Sequence, residues 1–200
     1  MSEAKFKTMR HIETVRNYLN QVVREFLNRQ EQHDQSKLQQ AEVDTFEIYT
    51  HKLRGLTYGS DEYRKCLAEM KPAIEHHYAH NRHHPEYHGT IIICETCGGK
   101  ESVKDVATRD NFIEYNRCRF CQHDGPFRET GDISKMNLID LLEMMVDWKA
   151  AGMRHDDGDL MKSIEINQKK FGYSDELARI FRNTAEWLNE QDVYHKADES

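Results

Sequence analysis

Six histidines lie within thirteen residues of this chain, in the segment "HHYAHNRHHPEYH" at positions 76–88. The 200-residue chain has twelve histidines, so half of them fall in this one segment. The run is internal and interrupted, unlike a purification tag. Neutral imidazole nitrogens, together with carboxylate oxygens, suit Zn²⁺, Mn²⁺, Fe²⁺ and Ni²⁺. The segment therefore predicts a metal site.

Two other segments carry residues that could complete such a site. His33 and Asp34 are adjacent, and "DLLEMMVDW" places Asp140, Glu143 and Asp147 at i, i+3 and i+7. This spacing puts the three carboxylates on one face of a helix that is otherwise largely apolar. A buried carboxylate is costly unless it is paired or binds a metal. Imidazoles on a metal would supply that partner.

Helical geometry limits which histidines of 76–88 can act together. His76 and His77 point about 100° apart on a regular helix, so they cannot both face one metal. The helix should end before His83 and His84, which brings these two residues back over its last turn. We therefore expect His77 to face the metal and His76 to be solvated.

Four of the five cysteines form two C-x2-C pairs, Cys94 with Cys97 and Cys118 with Cys121, separated by 20 residues. Two such pairs supply four thiolates to one tetrahedral Zn²⁺. A four-thiolate site has no open position for a substrate, so we expect it to stabilise a small zinc ribbon rather than to catalyse. A redox dithiol is the rival interpretation, and the presence of two pairs disfavours it.

Composition bounds the class of protein. Hydrophobic residues make up 38% of the chain and charged residues 32%, and the net charge of −7 argues against a non-specific nucleic-acid binder. No apolar run approaches the roughly 20 residues that span a bilayer, and the first residues have no apolar signal core. We therefore expect a cytoplasmic protein with no membrane partner.

Apolar residues recur at three- and four-residue steps outside 90–132, which predicts a mainly α fold. We expect one discontinuous helical domain, 1–89 with 133–200, and a β-rich insertion at 90–132. The stripe of the first helix, from Ile12 to Leu27, should be buried. Pro72 predicts a kink or a new helix start. The helices are predicted at about 8–28, from 36, 60–80, 134–152, 158–171 and 174–190.

The order of these residues resembles the HD-domain superfamily of metal-dependent phosphohydrolases. More narrowly, the chain is similar to an HD-like family found mostly in bacteriophages, through "HIETV", "HDQSK", "HHYAHNRHHPEY" and "DLLEMMVDWKAA". The similarity covers about 8–88 and 134–190 and leaves the cysteine segment as an insertion. It implies an HD-like helical bundle and, for a phage-encoded chain, the cytoplasm of the host cell.

The resemblance also implies site residues and cofactors. The implied ligands of a first metal are His11, His33, Asp34 and Asp147. The resemblance further suggests that His77, His83 and His84 bind a second metal or a phosphate. One or two divalent ions would occupy the helical core, with Mn²⁺, Fe²⁺, Zn²⁺, Mg²⁺, Co²⁺ and Ni²⁺ as candidates.

One position departs from the resemblance. Several nucleotidase branches have an acid three residues after the His-Asp pair, where it helps to activate water. Here that position is Lys37, which cannot act as the base in the same way but can clamp a phosphate. Glu143, one turn from Asp147, is the candidate to replace the acid.

The leading hypothesis is a metal-dependent phosphohydrolase that acts on a nucleotide or another phosphate ester through metal-activated water. Lys37, with His83 or His84, would neutralise charge on the phosphoryl oxygens. An alternative is a zinc-ribbon adaptor that binds a host protein or nucleic acid on an HD-like scaffold, which needs no core metal. A third is a di-iron oxygenase, which oxygen-dependent turnover would reveal. A homo-oligomer is compatible with each of the three.

Overall fold

The computed structural model describes residues 2–56, 60–102, 117–153 and 158–198. This part of the chain is mainly helical with a small antiparallel sheet, so the predicted fold class is confirmed. The helices are α1 (Glu3–Gln32), α2 (Val43–Arg54), α3 (Asp61–Glu69), α4 (Lys71–His80), α5 (Leu138–Gly152), α6 (Leu160–Phe171) and α7 (Asp175–Asp198). The strands are β1 (Thr90–Cys94), β2 (Lys100–Ser102) and β3 (Phe127–Gly131).

Capping residues explain where the helices near the histidines begin. The Ser60 side chain accepts a hydrogen bond from the Tyr63 amide and starts α3. Pro72 lies in the first turn of α4, where its missing N–H costs nothing, so it marks a new helix rather than a kink. Asn137 and Asp140 form a reciprocal capping box at the start of α5.

The hydrophobic core lies among α5, α6 and α7. Met144 and Met145 of α5, Ile164 of α6 and Phe181 of α7 are almost completely buried in one cluster. This packing fixes α5, and with it the face that carries the carboxylates. No helix within the described ranges is long and apolar enough to cross a membrane.

The three-stranded sheet has the order β2-β1-β3 and packs against the helical body. Ile91 and Ile93 of β1 are buried. A Cβ atom at Gly131 of β3 would lie 2.4 Å from the Glu86 amide nitrogen, so only glycine allows this close approach. The sheet therefore abuts the short 3₁₀ turn Pro85–His88, directly after His83 and His84. Residues 103–116 of the predicted insertion lie outside the described residues.

The apolar stripe of α1 is exposed, which corrects the prediction that it is buried. Every side chain from Ser2 to Arg24 is solvent-exposed. The end of α1 is held to α5, where Arg29 bonds Asp140 and Glu143 at 2.8 Å. Periodicity shows that one face of a helix is apolar, but it does not show what covers that face.

Candidate metal centres

Six potential ligands from three segments meet beside the C-terminal end of α1; we call them the core cluster. They are His33 and Asp34 after α1, His77 in α4, His83 and His84 in the loop that follows, and Asp147 in α5. Ligand atoms of Asp34, His77, His83 and His84 lie within 4.8 Å of one another. Those of His33, His83 and Asp147 form a second such group. This histidine–carboxylate group could hold a metal ion.

His11, the remaining ligand implied by the resemblance, is not part of the core cluster. It is exposed on α1 and precedes His33 by 22 residues, most of them in the same continuous helix. At 1.5 Å per residue, the two side chains are about 33 Å apart along the helix axis. The predicted role of His11 is therefore corrected, because α1 begins at Glu3 and carries His11 far from the body.

Glu42 fixes the protonation state of His77. The buried Glu42 carboxylate lies 3.0 Å from Nδ1 of His77, so Nδ1 donates its proton to Glu42. The Ser36 hydroxyl lies 3.1 Å from the same Nδ1 and accepts from the Asn81 amide at 2.7 Å, which extends this buried hydrogen-bond network. Nε2 of His77 then presents its lone pair to Asp34 Oδ1, 3.3 Å away, as metal-binding histidines do.

Glu143 plays the same part for His33 and His83. Its Oε1 lies 3.0 Å from His33 Nδ1 and 3.2 Å from His83 Nδ1, although the second pair is not aligned as a hydrogen bond. Oε2 accepts from Arg29 at 2.8 Å. Glu143 is thus held on the Nδ1 side of both imidazoles. This position favours a role in orienting the histidines over the predicted role of water-activating base.

Several buried atoms of the core cluster that could bind a metal lack a hydrogen-bond partner. Asp34 Oδ1 and both ring nitrogens of His83 are buried without a hydrogen bond in the described structure. Such groups are costly unless something satisfies them. The Nε2 atoms of His77 and His84 lie 2.9 Å apart, and His83 Nε2 lies 3.5 Å from Asp34 Oδ1. Ligand bonds of about 2.1 Å place neighbouring donors about 3.0 Å apart in an octahedron and 3.4 Å in a tetrahedron. The donor set therefore fits a divalent cation.

Asp140 is a structural anchor rather than a ligand. It is completely buried, and its carboxylate accepts from Arg29 at 2.8 Å and from Arg82 at 3.2 and 3.3 Å. Burial alone would raise the pKa of Asp140, but these guanidinium partners hold it below its usual range. The pair of arginines joins α1 and the loop after α4 to α5. It therefore fixes the three segments that supply the ligands.

Electrostatics favour cation binding at the core cluster. Hydrogen bonds to Asp147 and Glu143 raise the pKa of His33 to about 10. Burial would raise the pKa of Glu143, yet the adjacent His33 and His83 imidazoles and the Arg29 guanidinium lower it to about 2. Burial lowers the pKa of both His77 and His84, which keeps them neutral, the form that binds metals. The carboxylates thus attract positive charge, and in the absence of a metal His33 provides it as a proton.

The core cluster opens toward solvent beside Lys37. The Lys37 amine lies 2.5 Å from Asp34 Oδ2, and its side chain is 31% exposed. The side chains of His33 and Asp147 are also partly exposed, at 30% and 25%. His83 is 1% exposed, which favours its predicted role in metal binding over phosphate binding. His76 is 29% exposed against 4% for His77, which agrees with the prediction, although His76 also bonds Glu42 at 2.6 Å.

A groove of about 880 Å³ lies next to the core cluster but contains none of its ligands. Tyr78 links the two, since it lines the groove and its ring centroid is 4.8 Å from that of His84. The buried Thr130 hydroxyl lines the groove and has no hydrogen-bond partner in the described structure.

The four paired cysteines form a second candidate centre. Their sulfur atoms lie within 4.8 Å of one another, with 3.9 Å between Cys94 and Cys121 and 3.6 Å between Cys97 and Cys118. Zn–S bonds of about 2.3 Å give a tetrahedron with edges of about 3.8 Å. The amides of Gly99 and Phe120 lie 3.4 Å from sulfur atoms, as donors to thiolates. The arrangement is compatible with a structural zinc ion.

Sequence reasoning missed two residues of the core cluster's surroundings. Glu42 lies in the polar segment "QQAEVD", which gives no sign that its side chain is buried. Arg29 occupies the end of a helix that reads as amphipathic throughout. Two signals for Arg29 were available. Arg29 precedes His33 by four residues, and the carboxylate of Asp140 needs a cationic partner.

Comparison with known proteins identifies a family but no activity. Residues 1–192 match DUF5662, a family of unknown function. The chain belongs to this family. No curated protein and no solved structure matched it. The resemblance to HD-domain phosphohydrolases and to a bacteriophage family therefore stays a prediction that rests on the motifs.

Proposed function

We propose that this member of DUF5662 is a metal-dependent phosphohydrolase that acts on a nucleotide or another phosphate ester, with the core cluster as its active site. The observation that carries the proposal is the set of buried ligand atoms that have no hydrogen-bond partner in the described structure. Asp34 Oδ1 and Nε2 of His83 lie 3.5 Å apart, and neither has a hydrogen-bond partner among the described residues. A divalent cation between them would satisfy both atoms. The motifs that resemble HD phosphohydrolases supply the reaction class.

Asp34 would serve both groups of ligands. Its Oδ1 lies 3.3 Å from His77 Nε2, whereas its Oδ2 lies 3.7 Å from His33 Nε2. One carboxylate oxygen therefore faces each group. This geometry supports two adjacent cation sites joined by Asp34.

Each remaining residue has a role that follows from its position. Divalent cations held by the core cluster would supply Lewis-acid polarisation of a phosphoryl oxygen and a water molecule of lowered pKa. Lys37, beside Asp34 at the open side, would stabilise negative charge on the phosphoryl group. Glu42 and Glu143 would keep the ring protons of the histidines at Nδ1, so that Nε2 stays available.

We infer that the cysteine cluster holds a structural zinc ion and takes no part in the reaction. Four thiolates close the tetrahedron and leave no position for a substrate. The cysteine cluster shares no ligand with the core cluster. Each centre should therefore bind and lose its metal independently of the other.

Phosphate release tests the proposed reaction. Wild-type protein loaded with Mn²⁺, Mg²⁺, Co²⁺, Zn²⁺ or Fe²⁺ is assayed for phosphate release with nucleoside monophosphates and triphosphates, and by chromatography for the nucleoside monophosphate that a cyclic nucleotide would yield. The matched variants are His77→Ala, which loses a buried ligand, and His80→Ala, which alters an exposed histidine of the same helix. We expect release in the wild type and in His80→Ala, and at least a 100-fold loss in His77→Ala.

The alternatives give different results. An adaptor would contain only the cysteine zinc and would release no phosphate. A di-iron oxygenase would bind iron in the core cluster and consume oxygen without releasing phosphate. Either result overturns the hydrolase proposal, as would equal activity in the two histidine variants.

A further inference from the structure

Nine large hydrophobic side chains of α1 face solvent; we call them the α1 stripe. Their exposed fractions range from 42% for Val22 to 65% for Tyr18. The members are Phe6, Met9, Ile12, Val15, Tyr18, Leu19, Val22, Val23 and Leu27. No part of the described chain covers them. Single exposed hydrophobics need no explanation, but a continuous row along one helix marks an interaction surface.

The spacing within the α1 stripe is that of a helix that packs on another helix. Ile12, Val15, Leu19 and Val22 of the stripe, and then the half-buried Phe26, follow one another at steps of three, four, three and four residues. This alternation is the a/d pattern that aligns one face of a helix with a partner helix over its length. Neighbouring apolar residues on both sides widen the seam, as in helical bundles.

The size of the α1 stripe matches a stable interface. With about 150 Å² for a large side chain, nine half-exposed side chains present roughly 700 Å² of surface. A typical protein monomer has no exposed apolar patch above about 600 Å², whereas a standard interface buries about 800 Å² on each partner. A lone helix of this kind is also marginal in water without a packing partner.

We propose that two copies of this chain form a dimer in which their α1 stripes pack against each other in antiparallel orientation. A two-fold pair uses the same surface on both copies, so it needs no second patch. Antiparallel pairing centred near Asn17 places Ile12 opposite the partner's Val22 and Val15 opposite the partner's Leu19. The pairing buries the a/d residues of both helices.

Charge favours the antiparallel orientation. Residues 3–16 carry four basic and two acidic side chains, although the whole chain has a net charge of −7. The remainder of the chain is therefore more acidic than the whole. Antiparallel packing brings the basic end of each α1 toward the acidic body of its partner, whereas parallel packing would bring the two acidic bodies together.

Sedimentation analysis of the full-length protein tests the interface. We expect wild type at micromolar concentration to have twice the chain mass of 23.7 kDa. Val15→Glu with Leu19→Glu should give the monomer mass, with unchanged metal content. Asn17→Glu with Gln21→Glu adds the same two charges to the polar face of the same helix and should remain dimeric. A monomeric wild type, or a dimer that survives the stripe variant, overturns the proposal.

Cross-linking tests the orientation. Val15→Cys and Leu19→Cys variants, each with Cys66→Ser and with the cysteine zinc in place, are oxidised separately and as a mixture. Antiparallel packing predicts disulfide-linked dimers mainly in the mixture. Parallel packing would instead link each variant to itself, because equivalent positions then face each other. That outcome would overturn the antiparallel arrangement.

The other occupants of the α1 stripe give separable outcomes. Vesicles of phosphatidylcholine with phosphatidylglycerol test a lipid surface, which would bind wild type and fail to bind Val15→Glu with Leu19→Glu. Binding of a monomeric wild type to these vesicles would replace the dimer proposal. A monomer that binds no vesicles would assign the stripe to a different protein and also overturns the proposal.

Discussion

Asp34→Asn tests the central ligand of the core cluster with the least disturbance of the fold. The backbone at Asp34 is left-handed, with φ 56° and ψ 13°. Asparagine adopts this conformation readily, whereas alanine would cost about 1–2 kcal/mol. Asparagine also keeps the size of the side chain while it removes the negative charge. Any loss of metal binding can therefore be separated from backbone strain.

The expected effect is a loss of metal-dependent stabilisation. With Mn²⁺ at about 100 times its Kd, binding adds about 2.7 kcal/mol to the free energy of unfolding. For a chain of this length, that corresponds to a rise in Tm of roughly 5–11 °C. Asp34 offers one oxygen to each ligand group, so the substitution should abolish the rise at the same Mn²⁺ concentration. Without Mn²⁺ the variant should unfold within about 1 kcal/mol of wild type, because its lost ion pair with Lys37 is partly exposed.

Calorimetry of protein that carries only its cysteine zinc measures both effects. Thiolates retain Zn²⁺ in preference to Mn²⁺, so the titration reports on the histidines and carboxylates. Asp44→Asn makes the same chemical change at an exposed position of α2 and should keep the full rise in Tm. A full Mn²⁺-dependent rise in Asp34→Asn would refute Asp34 as a ligand.

Three further predictions address the groups around the ligands. Glu143→Gln should weaken Mn²⁺ binding about 10–100-fold, and excess Mn²⁺ should restore phosphate release, since Glu143 orients the histidines; a loss that excess metal does not restore would identify it as the base. Mn²⁺ binding at neutral pH should release protons and strengthen as the pH rises, because His33 has a pKa raised to about 10 and must lose its proton to bind; titration in weak buffer measures the release, and pH-independent binding would exclude His33. Cys94→Ser with Cys118→Ser should remove one zinc ion per chain and leave circular dichroism at 222 nm nearly unchanged; a collapse of the helical signal would show that the zinc site supports the helical core.

Local chemistry in the sequence predicted most of the core cluster. His33, Asp34 and the later histidines were recognisable because ligand types recur at positions that a helix and its terminating loop bring together. The apolar face of its helix indicated that Asp147, like Asp140 and Glu143, needs a partner, and the resemblance singled out Asp147 as a ligand. The spacing of the cysteines likewise predicted their convergence.

The sequence could not show how far α1 extends from the body. The same periodicity is expected of a buried helix and of a helix that packs on a separate partner, so the stripe was predicted to be buried. The resemblance, and not this periodicity, placed His11 in the site. Glu42 was missed for a related reason. Its burial depends on where α4 packs, which no local pattern around residue 42 encodes.

Metal content per chain tests the account most directly. Wild type and His77→Ala, each with zinc at the cysteines, are loaded with Mn²⁺, desalted and measured by elemental analysis. The account predicts one zinc ion and one or two manganese ions per wild-type chain, and one zinc ion with little or no manganese in His77→Ala. Zinc alone in the wild type, or equal manganese in both proteins, would contradict a metal centre in the core cluster.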